Sequence, residues 1–84
     1  MQETKSVIET IKDNYDQMFA AEKKVADFIL KYPEKAVNSN VSELAHYSQV
    51  SEATVIRMCK HIGYEGYYQM RLFLSHDIGR KQAN

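Results

Sequence analysis

The sequence predicts an all-α fold, a bundle of five helices, and three observations carry that prediction. Glycine and proline are scarce, at three and one in 84 residues, so little interrupts a helical run. Apolar residues recur at helical spacing in one segment after another. No stretch alternates apolar and polar residues as a half-buried strand would, and the pair Val55-Ile56 is better placed inside a helix.

Composition bounds the rest. Hydrophobic residues make up 44% and charged residues 26%, which suits a single globular domain with a small core. No apolar run approaches the ~20 residues of a membrane span. The opening MQETKSVIETIKDNY is polar and amphipathic, unlike a secretory leader, so no membrane partner and a cytoplasmic location are expected. One cysteine excludes an internal disulfide framework and agrees with a reducing compartment.

The elements follow in order. Residues 4–18 read as the first helix, with Val7, Ile11, Tyr15 and Met18 on one stripe and Glu9, Lys12, Asp13 and Asp16 opposite. This helix packs on the core, or serves as a swapped or dimerising arm. Residues 20–32 read as the second, with Ala21, Val25, Phe28, Ile29 and Tyr32 inward. Lys23, Lys24 and Lys31 alternate with Glu22 and Asp27 on a solvated face. Pro33 ends that helix, because the residue before proline avoids the helical region. Residues 34–40, EKAVNSN, read as a turn or a short scrap of helix.

Residues 42–49 and 51–62 read as the third and fourth helices, broken at Gln49-Val50-Ser51. Ser42 and Ser51 can cap their starts, because a serine oxygen accepts from the unpaired N–H groups of a first turn. Gly63 stands where a left-handed residue stops a helix. Tyr64 and Tyr67 flank the glycine turn that follows, and pin it to the core rather than stack on bases. Residues 67–79 read as the fifth helix, with Tyr67, Met70, Leu74 and Ile78 on one stripe. Tyr68 and Leu72 make a second stripe, more apolar surface than one small core needs. Residues 1–79 thus form one domain, and 80–84 a frayed end or the start of a linker.

Two short capped helices joined tightly make a helix-turn-helix, in a homeodomain-like arrangement that can lay its second helix in the DNA major groove. At about 100° per residue, Val55, Met58, Cys59 and Ile62 gather on the back of the fourth helix, and Ala53, Ile56, Arg57 and Lys60 on its front. The candidate DNA-binding residues are therefore Ser42, Ser51, Ala53, Thr54, Ile56, Arg57 and Lys60. Arg57 has the fork that reads guanine. Ala53 and Ile56 can touch thymine methyls. Ser42, Thr54 and Lys60 can reach phosphates. Glu52 either reads cytosine or caps with Ser51, and capping is favoured.

Charge gives qualified support. The formal net charge is zero, yet residues 1–54 hold six Lys/Arg against nine Asp/Glu, and residues 55–84 hold five against two. A neutral domain can carry one basic face. Catalysis has no support. His46, His61 and His76 are dispersed with no carboxylate at a telling spacing, no phosphate loop or metal motif occurs, and Cys59 falls on an apolar face as a buried structural cysteine. No cofactor and no metal are expected.

The run VSELAHYSQVSEATVIRMCKHIGYEGYYQMRLFL, with AEKKVADFIL upstream, resembles the N-terminal domain of the RpiR family of bacterial transcriptional regulators over about residues 5–78. The resemblance implies a five-helix DNA-binding domain, double-stranded DNA as partner, a homodimer, and control of carbohydrate-metabolism operons. It also implies that a phosphosugar effector is bound by a separate sugar-isomerase-type domain, for which this chain is too short, and that the surplus apolar face of the fifth helix meets a second copy or that domain. Two departures stand out. Gln49 occupies a turn position where many helix-turn-helix motifs have glycine, and Phe19 replaces the Ser or Thr that caps the second helix ahead of Glu22, so a capping box is lost. The rival readings are a helix-turn-helix scaffold for protein–protein contact, which zero net charge favours, and an RNA-binding or enzymatic accessory domain.

Overall fold

The computed structural model describes residues 5–82, with side chains placed through residue 79. Among the described residues six α-helices follow one another: α1 (Val7–Asn14), α2 (Ala20–Lys31), α3 (Pro33–Val37), α4 (Val41–Ser48), α5 (Glu52–His61) and α6 (Tyr67–Gln82). The fold is all-α as the sequence predicts, with one helix more than the five expected. The extra helix is α3, in the stretch read as a turn or helical scrap. Pro33 both ends α2 and starts α3, since its fixed φ suits a first helical position and its missing N–H is needed nowhere there.

The first helix is shorter than the expected 4–18. Ser6 caps it by accepting from the Glu9 N–H at 3.0 Å, and Glu9 Oε1 accepts in return from the Ser6 N–H at 3.4 Å. Its far end tightens into a 3₁₀ turn at Tyr15–Gln17, where the Asn14 side chain donates to the Thr10 carbonyl at 2.8 Å and competes with the helical ladder. At the other end of the chain α6 runs three residues past the expected stop, because the cost of Gly79 is only about 1 kcal/mol and Arg, Lys and Gln are good helix formers. Of the stretch 80–84, read as a frayed end or the start of a linker, residues 80–82 continue α6 and residues 83–84 lie outside the described ones.

One core joins the helices. Val7 and Ile11, Val25 and Ile29, Leu44, Val55, Met58 and Cys59, Met70 and Leu74 are all buried. Helices α2, α4 and α5 pack on one another, while α6 packs on α1 and α3. Polar bonds hold α6 in place. The Val7 N–H donates to Asp77 Oδ2 at 2.6 Å and Arg71 Nε to the Val37 carbonyl at 2.6 Å. The Tyr67 hydroxyl donates to the Ser39 carbonyl, and burial pushes that phenol up to about 12. Tyr64 is half-buried, so both tyrosines do pin the glycine turn.

Helix α2 corrects the sequence reading. Glu22, expected on the solvated face, is 2% exposed, while Tyr32, expected inward, is 47% exposed; Ala21 also faces outward. The buried set is Glu22, Val25, Ala26 and Ile29, an i, i+3, i+4, i+7 stripe with the carboxylate at its head.

Candidate nucleic-acid interface

The helix-turn-helix comprises α4, the turn at Gln49–Ser51 and α5. Its first helix is capped by Asn40 and begins at Val41, where the sequence suggests a Ser42 cap. Asn40 accepts from the Glu43 N–H at 2.8 Å, and Glu43 Oε1 accepts from the Asn40 N–H at 2.9 Å. This reciprocal box satisfies two donors at once, whereas Ser42 has no Glu or Gln three residues on. Ser42 instead lies exposed in the first turn of α4.

Gln49 closes α4 with φ 61° and ψ 44°, so the turn keeps the left-handed conformation that glycine adopts most readily at this position, without glycine. The Gln49 N–H donates to His46 at 3.1 Å and the Val50 N–H to Ala45 at 3.0 Å, so the last turn leaves few carbonyls unpaired. Ser51 then caps α5, accepting from the Thr54 N–H at 3.1 Å, with its hydroxyl 2.9 Å from that of Thr54. Glu52 is the first helical residue, beside the positive end of the helix but not itself the cap. At the far end the Gly63 N–H bonds Lys60 at 3.1 Å and the Tyr64 N–H bonds Cys59 at 3.0 Å, with Gly63 at φ 104°. This is the Schellman closure that glycine favours.

Two faces result. Val55, Met58, Cys59 and Ile62 are buried, and burial pushes the Cys59 thiol up to about 12, so it is an inert core group. Ala53, Ile56, Arg57 and Lys60 are exposed together on the front. Ser51 borders that front with its hydroxyl engaged in the cap. Thr54 does not join it: the side chain is 8% exposed and its hydroxyl is spent on Ser51.

The sequence reading missed Glu22 as a partner of this helix. Glu22 Oε1 lies 2.8 Å from His61 Nδ1, at the end of α5, and also accepts from the Phe19 N–H at 3.1 Å. Half of the capping box thought lost at Phe19 therefore survives through the glutamate. The available signal was the place of Glu22 at the head of the Val25-Ala26-Ile29 stripe. The arrangement as a whole offers an amphipathic helix with two cations and two apolar contacts on its free side, fixed by caps at both ends.

The helix-turn-helix domain of the rpiR family matches residues 5–81. The chain is 35% identical over 79 residues to the HTH-type transcriptional regulator HexR of Pseudomonas aeruginosa, covering 94% of this chain and 28% of that protein. The N-terminal domain of the transcriptional regulator ybbH of Bacillus subtilis superposes with a TM-score of 0.81 at 30% identity, covering 86% of this chain and 88% of that one. The Vibrio vulnificus NanR protein complexed with ManNAc-6P superposes with a TM-score of 0.86 at 29% identity, covering 93% of this chain and 30% of that one.

Proposed function

This chain belongs to the rpiR helix-turn-helix family, and from that premise we propose that it is the DNA-reading part of a transcriptional regulator of carbohydrate metabolism. The observation that carries the reading is the division of α5. Its back is buried, which turns its front to solvent, and that front presents Arg57 and Lys60 together with Ala53 and Ile56. A major groove admits one such helix. Arg57 donates its fork to a guanine, Lys60 and Ser42 meet phosphates, and Ala53, Ile56 and Ser51 lie against bases or sugar. Thr54 contributes by holding the start of α5.

Two copies bind a pseudo-palindrome, with half-sites about one helical turn, or a multiple of it, apart. Tyr68, Leu72 and Phe73 of α6 are 64%, 56% and 37% exposed, apolar area that suits a contact between copies. The effector is a phosphorylated sugar held by parts of the regulator other than these 84 residues. Support comes from the NanR complex with ManNAc-6P, of which this chain covers 30%. The setting is the cytoplasm, where bacterial DNA lies; among the described residues no helix is long and apolar enough to cross a membrane.

Zero net charge favours a second reading, a helix-turn-helix scaffold for protein contact. Selection from a pool of randomised duplex DNA, sequenced and repeated at two salt concentrations, separates the two. A recovered two-fold symmetric motif with affinity falling steeply in salt supports DNA readout. No binding at low salt by the folded domain supports the scaffold.

A further inference from the structure

We infer that Glu22, acting through His61, is a positioning residue for DNA readout by α5, an inference that rests on the DNA reading above. Glu22 is 2% exposed at the head of an apolar stripe. One of its oxygens is fully used, by His61 Nδ1 at 2.8 Å and the Phe19 N–H at 3.1 Å. The other, Oε2, is buried with no hydrogen-bond partner. A carboxylate in that position is a poor choice for stability alone, since an apolar side chain of similar volume avoids its desolvation. What the carboxylate supplies is direction.

Direction matters because of where His61 sits. It is the last residue of α5, next to Lys60 and one turn beyond Arg57, so its row on the helix surface neighbours the row that carries Arg57. The remaining grip of α5 on the core comes from Val55, Met58, Cys59 and Ile62, apolar contacts that tolerate small rolls of the helix about its axis. A hydrogen bond from α2 to the C-terminal end of α5 does not tolerate them. Readout of a base needs the reading side chain held to within about 0.5 Å and 10–20°. The Phe19 ring, 6.2 Å from that of His61, flanks the imidazole. Ser51 fixes one end of α5 through its cap, and Glu22 fixes the other through His61.

The test uses the duplex selected by the wild-type domain and a scrambled duplex of equal length. Affinity for both is measured for wild type, Glu22→Leu, Glu22→Gln, His61→Ala and the double variant Glu22→Leu/His61→Ala, at a temperature where circular dichroism shows each fully folded. His61→Ala and Glu22→Leu are expected to lower the ratio of selected to scrambled affinity about tenfold, within the range spanned by loss of one good base contact. Scrambled binding stays within about twofold, because phosphate contacts carry no sequence information. The double variant is no worse than the singles, and Glu22→Gln, which still accepts from the imidazole N–H, recovers most of the ratio. His61→Ala leaves the Glu22–Phe19 cap intact, so it decides the matter if Glu22→Leu does not fold. An unchanged ratio in folded His61→Ala would overturn the inference, as would an equal loss on both duplexes, which would make His61 a phosphate contact. A wild-type domain that selects no duplex would instead overturn the DNA reading itself.

Discussion

Replacing Gln49 by glycine should make the domain more stable, although Gln49 belongs to the helix-turn-helix itself. Among the described residues Gln49 alone, of those other than glycine, has positive φ, at 61°. An L-residue there brings Cβ close to the following carbonyl, at roughly 1–2 kcal/mol. Glycine removes that strain but has more freedom to lose on folding, about 0.5–1 kcal/mol. Gln49 is exposed, so little burial is lost with its side chain. The net expectation for Gln49→Gly is a gain of about 0.5–1 kcal/mol, which raises the midpoint of thermal unfolding by about 2–8 °C for a domain of this size. Gln49→Val, β-branched and poorly suited to this conformation, should lose roughly 1–2 kcal/mol. Both are read by thermal melts followed by circular dichroism. A midpoint that falls with glycine, or fails to fall with valine, would refute the strain argument.

Other expectations follow from the same contacts. Asn40→Ala should cost about 1 kcal/mol and Ser42→Ala less than about 0.5 kcal/mol in urea unfolding, because Asn40 is the cap and Ser42 is not. Leu74 is fully buried, and Leu74→Ala should cost about 2–5 kcal/mol by the same measurement. Burial raises the Cys59 thiol from its ordinary 9.0 to about 12. The folded chain thus keeps a proton that the unfolded chain loses, and stability complete below pH 9.0 falls as pH rises toward about 12. Cys59→Ala should flatten part of that alkaline slope in the urea midpoint, leaving the part due to Tyr67, which shifts the same way. An equal slope in the variant would count against the buried thiol.

What could be read in the sequence was local, and what could not was mostly a matter of partners. The split of α5 into Val55, Met58, Cys59 and Ile62 behind and Arg57 and Lys60 in front is a matter of helical period alone. The Ser51 cap and the Gly63 stop are likewise set within a few residues of themselves. The Asn40 cap is equally legible, since Asn40 and Glu43 stand at capping-box spacing while Ser42 has Ala45 three residues on. Glu22 was different. Its polar partner is His61, 39 positions away, and a carboxylate followed by two lysines reads as solvated until that partner is known. Thr54 shares the His61 flank of α5, seven residues earlier, and is covered there although His61 itself is exposed. A wheel drawn for one helix does not say which of its flanks a neighbour covers. The exposed Tyr68 and Leu72 were foreseen as surplus because the Tyr67-Met70-Leu74 stripe already fills the core.

The central claim, that the front of α5 reads base sequence, is tested most directly by Arg57→Ala on the selected duplex and on a set with single base-pair changes. The account predicts a loss of about 1–3 kcal/mol on the selected duplex and a relaxed preference at one base pair per half-site, with the others unchanged. A uniform loss across the whole set would reduce Arg57 to a phosphate contact, and no loss at all would contradict readout by this face.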